Sequence, residues 1–289
     1  MICKNESALI REALLSVRPF IDAWCVLDTG STDGTQDIVK EEMRDLPGCL
    51  YEFPWQGWDK SRTMAIDLAK AFGSDFIFIL DADERVISGT LPSLDPNSAY
   101  WCSVKFGDSG MVYSRPNILS RLHNWHYVGV THEYLTPEPD APPQIQSSLV
   151  IQTHPSRANK STERCLEDAK LLEAEFTRDP SNPRTVFYLA QSYKDAGMPE
   201  EAITTYQLRA AMGGWYEEVY ISLLRVAQLM CHRRSFPEVA AAFAEAHKVC
   251  PHRAGETLGY LADFCRWWAD NTKFPKDDRL FVDASRYKK

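Results

Sequence analysis

The spacing of apolar residues changes character once along this 289-residue chain, and that change limits what it can fold into. In the first 85 residues, short apolar runs alternate with helical spacing. Residues 7–17 place Leu9, Ile10, Ala13, Leu14 and Val17 on one helix face, and residues 35–43 and 60–71 do the same. Between them, residues 21–27 and 50–53 are short enough for buried strands. Residues 76–80, Phe-Ile-Phe-Ile-Leu, form a fully apolar strand running into Asp81. A β-α-β-α-β-α-β order predicts an α/β domain, with a mostly parallel sheet and helices on its faces. Ligands of such sheets sit at the carboxyl ends of the strands, where Asp28 and Asp81 fall. Residues 100–106, 111–113, 118–122 and 149–152 read as further short strands. Residues 136–143, Thr-Pro-Glu-Pro-Asp-Ala-Pro-Pro, read as an exposed loop.

After about residue 155 every signal is helical, so the expected division is an α/β domain over 1–155 and an all-α domain over 156–289. Leu189, Ala190, Tyr193, Gly197, Ala202 and Tyr206 occupy the small and large positions of a tetratricopeptide repeat. Val226, Ala227, Phe243, Ala246 and Pro251 repeat part of that pattern 37 residues later, with Gly213-Gly214-Trp215 able to hold the extra residues. Residues 161–178 read as a helix before the repeats, and 257–269 as a terminal helix closing the stack. Gln191, Lys194 and Arg225 are expected on the exposed face of the repeats.

The formal net charge of −8 lacks the global basic field that nonspecific binding to duplex DNA needs. No apolar run reaches the length of a membrane span, and the first residues show no basic segment followed by an apolar one. Eight widely spaced cysteines with no C-x-x-C pair read as reduced thiols of a cytoplasmic protein, with little support for a zinc site or a disulfide framework.

Two segments carry chemistry. Asp-Thr-Gly-Ser-Thr-Asp-Gly-Thr over 28–35 joins a strand to a helix and sets carboxylates and hydroxyls beside a helix N-terminus. Such a loop can receive the base and ribose of a nucleotide; the plainer alternative is a polar turn in which Asp33 or Thr35 caps the helix. Asp81-Ala82-Asp83 follows the apolar strand. Alternate residues on an extended chain point the same way, so both carboxylates are expected to face one divalent cation bridging a diphosphate. Glu84 adjoins the pair.

Met-Ile-Cys-Lys-Asn-Glu (1–6), the 28–35 loop and Leu-Asp-Ala-Asp-Glu (80–84) together resemble family 2 glycosyltransferases. Phe53-Pro54-Trp55, Asp59 and Arg62 resemble the segment between those motifs, and the C-terminal repeat resembles the members that carry tetratricopeptide repeats. The resemblance implies a GT-A fold, a nucleotide-sugar donor, a divalent metal (Mn2+ or Mg2+) and inversion at the anomeric carbon. It also implies roles residue by residue. Asp28 contacts the base or ribose, with Gly30, Ser31 and Asp33 in the same loop. Lys4, Asn5 and Glu6 line the pocket. Asp81 and Ala82 lie near the ribose or metal, Asp83 binds the metal, and Arg62 pairs with Asp81 or the nucleotide. The family further needs a late carboxylate base, for which Glu133 is the candidate, and a late metal-binding histidine. His154 fits that role and His132 competes for it. Trp125 and His126 are expected to shape an acceptor pocket.

Two departures stand out. The first strand is nearly absent, and the α/β domain is compact, so the helical domain is expected to help select the acceptor. The expected activity is transfer of a sugar from a UDP-sugar to a glycan, a protein or another acceptor. The alternative is an inactive transferase-like scaffold binding protein partners through its repeats. A homodimer through the helical domain is the expected assembly, if any.

Overall fold

A computed structural model describes residues 1–108, 110–157, 161–231 and 235–270. The chain divides into two compact units, Met1–Lys160 and Ser161–Lys289.

The first unit is α/β. Its elements are β1 (Ile2–Cys3), α1 (Ile10–Val17), β2 (Trp24–Asp28), α2 (Thr35–Glu42), β3 (Gly48–Glu52), α3 (Trp58–Ala71), β4 (Phe76–Phe78), β5 (Glu84–Ser88), β6 (Ala99–Lys105), β7 (Val112–Ser120), β8 (Asn124–Val128), β9 (Tyr134–Glu138) and β10 (Gln144–Thr153). β1, β2 and β3 form a parallel sheet in that order. A second sheet runs β4-β7-β6-β10-β5, in which only β6 and β10 are parallel. β8 and β9 make a separate antiparallel hairpin. The apolar face read for the first helix is real: Ile10, Ala13, Leu14 and Val17 are buried. The helix starts three residues later than expected because Asp33 Oδ2 accepts from the Ser7 amide and the Glu6 carbonyl accepts from Leu9 and Ile10, which holds the lead-in as a turn.

Several strands differ from the expectation. β1 has two residues and pairs with β2 alone, so no strand joins the two sheets. A cavity of about 580 Å³ lies in that region, walled by Met1, Leu14, Val17, Phe20, Ile77 and Phe78. The two fragments expected over 111–122 are one strand, β7, in which Pro116 sits where the register with β6 shifts; a proline is tolerated at such an irregularity. β9 enters the stretch expected to be a loop, and its Pro137 pairs opposite Trp125. Both strands of a two-stranded hairpin are edges, where a missing N–H costs little. β5 begins with Glu84-Arg85 and lacks an apolar run, which is why its strand was not legible.

The second unit is all-α: α4 (Thr162–Arg178), α5 (Pro183–Asp195), α6 (Pro199–Ala211), α7 (Tyr216–Met230), α8 (Phe236–Val249) and α9 (Ala254–Asp270). Each helix packs on the next, and α5/α6 and α7/α8 are the two repeats read from the sequence. Their core joins small residues, Ala190, Ala202, Ala227 and Ala246, to large ones, Tyr206, Tyr220, Phe243 and Phe264. Prolines open α5 and α6, where a missing N–H has no helical partner to lose. Asn182 caps α5 by accepting from the amides of Arg184 and Thr185. Gly213 and Gly214 adopt positive φ between α6 and α7, absorbing the expected insertion. Lys194, its side chain 6% accessible, is not on the exposed face, and neither is Arg225. Only 2% of its surface is accessible, and its guanidinium bonds Gln228 on the same helix.

Candidate active site

β1 and β2 end side by side, with Cys3 level with Asp28, and the loop that follows is held by carboxylates. Asp28 has no accessible surface. Its Oδ1 accepts from the amides of Gly30 (2.9 Å) and Ser31 (2.8 Å) and from Gln36 Nε2 (3.0 Å). Burial opposes ionisation of Asp28, but these donors outweigh it and hold the carboxyl below its usual range. The Cys3 thiol, 3.5 Å from Asp28 Oδ2, is pushed up to about 12 by burial and by that neighbouring carboxylate. Asp33 accepts from the Thr35 amide and hydroxyl through Oδ1 and from the Ser7 amide through Oδ2. Asn5 Oδ1 accepts from the Thr32 amide, while the Asn5 amide donates to Ser31 Oγ. Thus the Asp28 and Asp33 carboxylates shape the loop, and its outward surface comes from Lys4, Asn5, Gly30 and Thr32, all exposed.

The second cluster centres on Asp81. The extended geometry expected for Asp81-Ala82-Asp83 is absent. β4 ends at Phe78, and Ala82 and Asp83 form a turn closed by the Glu84 amide donating to the Asp81 carbonyl at 3.1 Å. The two carboxylates therefore do not share a strand face. Arg62, projecting from α3, grips Asp81 with two bonds, Nη1 to Oδ1 at 2.6 Å and Nη2 to Oδ2 at 3.0 Å. Burial opposes ionisation of Asp81, yet Arg62 and Arg115 outweigh it and keep its carboxyl well below the ordinary carboxylate range. The Arg62 guanidinium also lies over the rings of Trp58 and Tyr127.

The same arginine reaches Glu133. Its Nε is 2.7 Å from Glu133 Oε1, an ion pair whose N–H is not aimed as a hydrogen bond. This contact is built by the β8–β9 hairpin, which docks on α3 through the Tyr127 amide donating to Thr63 Oγ1 at 2.9 Å. The connecting loop holds Gly129 and His132 at positive φ and turns Glu133 toward Arg62. Among the described residues, Asn5 and His132 are the two non-glycine residues with positive φ. Each borders one cluster, and strained backbone of this kind gathers at functional sites.

Arg115, on β7, was not singled out from the sequence. It pairs with Glu84 and lies 3.8 Å from Asp81 Oδ2. Burial pushes the Glu84 carboxyl up against the pull of Arg115. An arginine inside the stretch Ser-Arg-Pro-Asn gave no periodic signal, so only the sheet register reveals that it faces the cluster.

The late histidine comes to Asp83. The His154 amide donates to the Asp83 carbonyl at 2.7 Å, and His154 Nδ1 is 2.7 Å from Ser156 Oγ, leaving Nε2 as the atom that can ligate. The contact between the two residues is through their backbones; their side chains, a carboxylate and an imidazole, are donor types that a divalent ion such as Mn2+ accepts. His132 lies beside Glu133 and half-buried, and Asp59 stands in the first turn of α3, one turn from Arg62. His126 is half-buried, 3.8 Å from Glu138. Trp125 is a correction. It is 5% exposed, packs with Ile66, Ile77 and Leu119, and donates Nε1 to the Ser120 carbonyl, so it serves the core and offers no face to an acceptor.

Among curated proteins, the chain is similar to a TPR repeat-containing protein of Synechococcus elongatus, 39% identical over 87 residues, which is 30% of this chain and 20% of the relative. It is also similar to an uncharacterized glycosyltransferase of Rickettsia felis, 34% identical over 86 residues, 30% of this chain and 28% of the relative. The chain therefore spans less than a third of the length of either relative. Crystal structures of S. aureus TarS align with 13% identity and a TM-score of 0.40 over 85% of this chain and 53% of that one. The TarS 1–349 complex with UDP aligns with 15% identity and a TM-score of 0.34, covering 98% and 93%. Residues 1–95, from β1 through the Asp28 loop, Arg62 and the Asp81 turn, match the glycosyl transferase family 2 profile, and this part of the chain is a family 2 glycosyl transferase domain.

Proposed function

We propose that the α/β unit is a metal-dependent, inverting glycosyltransferase that moves a sugar from a UDP-sugar to an acceptor hydroxyl or other nucleophile. The observation that carries this reading is the convergence of Asp81, Arg62 and Glu133. A family motif, a helix and a later hairpin loop meet there, although the loop lies outside the matched residues.

The Asp28 loop receives the nucleotide through its outward groups, Lys4, Asn5, Gly30 and Thr32, with the buried Asp28 and the exposed Asp33 setting its shape. Asp83 and His154 hold the divalent ion, which supplies positive charge to the leaving diphosphate. Arg62 and Arg115 add fixed positive charge beside Asp81. Glu133 takes the proton from the acceptor as its oxygen attacks the anomeric carbon, while the bond from that carbon to the diphosphate oxygen breaks. In the absence of donor, Arg62 neutralises Glu133. Arrival of a diphosphate gives the guanidinium a competing anion and frees the carboxylate to act. The acceptor is a glycan, a protein or another nucleophile, selected with help from the helical repeats, whose stacked helix pairs offer a binding surface.

The test is incubation of the full chain with UDP-sugars and Mn2+, reading the phosphate product. UDP is the expected product. Pyrophosphate release would point to nucleotidyl transfer, and no release with any donor or acceptor would favour a binding role for the fold.

A further inference from the structure

The helical unit contains a cluster of metal-binding groups that neither the repeats nor the transfer reaction uses. Cys250 precedes the short 3-10 segment Pro251–Arg253 that links α8 to α9, and His252 lies within it. Glu217 stands in the first turn of α7. A Glu217 carboxylate oxygen, Cys250 Sγ and a His252 ring nitrogen all lie within 4.8 Å of one another. His252 Nε2 is 3.8 Å from Glu217 Oε1. We propose that this triad binds one borderline-soft divalent cation of the Zn2+ type, with water in the fourth position.

The donor chemistry selects the class of ion. A thiolate and an imidazole disfavour Mg2+ and Ca2+, and a carboxylate completes a mixed set that Zn2+ accepts. Tetrahedral Zn2+ with bonds of about 2.0–2.3 Å places its ligand atoms roughly 3.3–3.7 Å apart. The donors must therefore close by up to about an ångström, which the His252 side chain, 62% exposed, can do by rotation. That same exposure admits the water. Cys250 is buried, and its Sγ makes no hydrogen bond among the described residues, whereas Cys3 and Cys231 donate to Asp28 and to the Ala227 carbonyl.

The surroundings suit the ion. Arg253 Nη1 holds the other Glu217 oxygen, Oε2, at 2.7 Å, and orients the carboxylate so that Oε1 faces His252. Arg253 is itself neutralised by Glu256, its Nη2 lying 2.6 Å from Oε2. With the thiol deprotonated, the two carboxylates and the thiolate balance Arg253 and a divalent ion. On binding, the Cys250 S–H bond is replaced by a sulfur–metal bond and the proton leaves to solvent, so affinity rises with pH. The ion would tie the start of α7 to the α8–α9 connection and stabilise the folded unit by mass action. The spacing Cys-x-His, with Glu217 far upstream, matches no common zinc pattern, which is why the sequence argued against such a site.

The experiment titrates the intact, tag-free chain with Co2+ as a spectroscopic stand-in. We expect a thiolate-to-cobalt charge-transfer band saturating at one ion per chain and displaced by Zn2+. An ion at Asp83 and His154 has no thiolate and gives no such band, so the two sites are read separately. His252→Ala alters an exposed residue and should fold normally by circular dichroism, yet lower Zn2+ affinity about tenfold or more. Cys250→Ser should remove the band. Absence of the band, or a band and affinity unchanged in His252→Ala, would overturn the proposal.

Discussion

Glu133→Gln should lower turnover about a hundredfold or more while donor affinity holds or rises, as expected when a general base that also competes for Arg62 is removed. The substitution keeps the shape of the side chain and takes away its charge. Arg62 retains both bonds to Asp81 and its position between Trp58 and Tyr127, so the cluster should keep its geometry. The loop conformation set by Gly129 and His132 is untouched. Pre-steady-state measurement of sugar transfer, alongside UDP-sugar binding by calorimetry, separates the two effects. If affinity falls while turnover holds, Glu133 binds the donor and the base lies elsewhere.

Asp83→Ala should reduce transfer below detection and leave the fold intact. Asp83 sits half-buried in the turn after β4, and its backbone carbonyl, which a substitution preserves, is what bonds the His154 amide. The lost carboxylate would otherwise help hold the charge that neutralises the leaving diphosphate. Asp81→Ala is a poorer probe, because it would strip Arg62 and Arg115 of a shared counter-charge and mix stability with chemistry. Thermal unfolding of the Asp83 variant checks the fold, and transfer assays with and without chelator check the metal. Wild-type activity in the variant, or full activity in excess chelator, would refute metal dependence at this position.

The fold was legible where burial imposes a period. Ile10, Leu14 and Val17 mark the first helix, and the repeat positions from Leu189 to Tyr206 mark the α5/α6 pair. The Asp28 loop, too, could be placed from its position between a strand and a helix. What escaped was set by long-range pairing. Before the turn at Ala82 and Asp83, Asn117 of β7 bonds both the amide and the carbonyl of Ile79, a pairing no local pattern announces. Arg115 joins the site only through the β6–β7 register. The role of Trp125 was misjudged because an indole between two histidines looks like a ligand surface, whereas the hairpin turns it onto α3 and β4. Residues 271–289 lie outside the described structure, while the expected terminal helix over 257–269 falls within α9. Among the described residues no helix is long and apolar enough to cross a membrane.

The most direct test of the central claim is equilibrium binding of UDP to the full chain by calorimetry, with Mn2+ and with chelator. One UDP per chain is expected in Mn2+, with affinity falling sharply when the metal is removed and the same loss in Asp83→Ala even when Mn2+ is present. Equal affinity with and without metal, or no UDP binding under either condition, would contradict it.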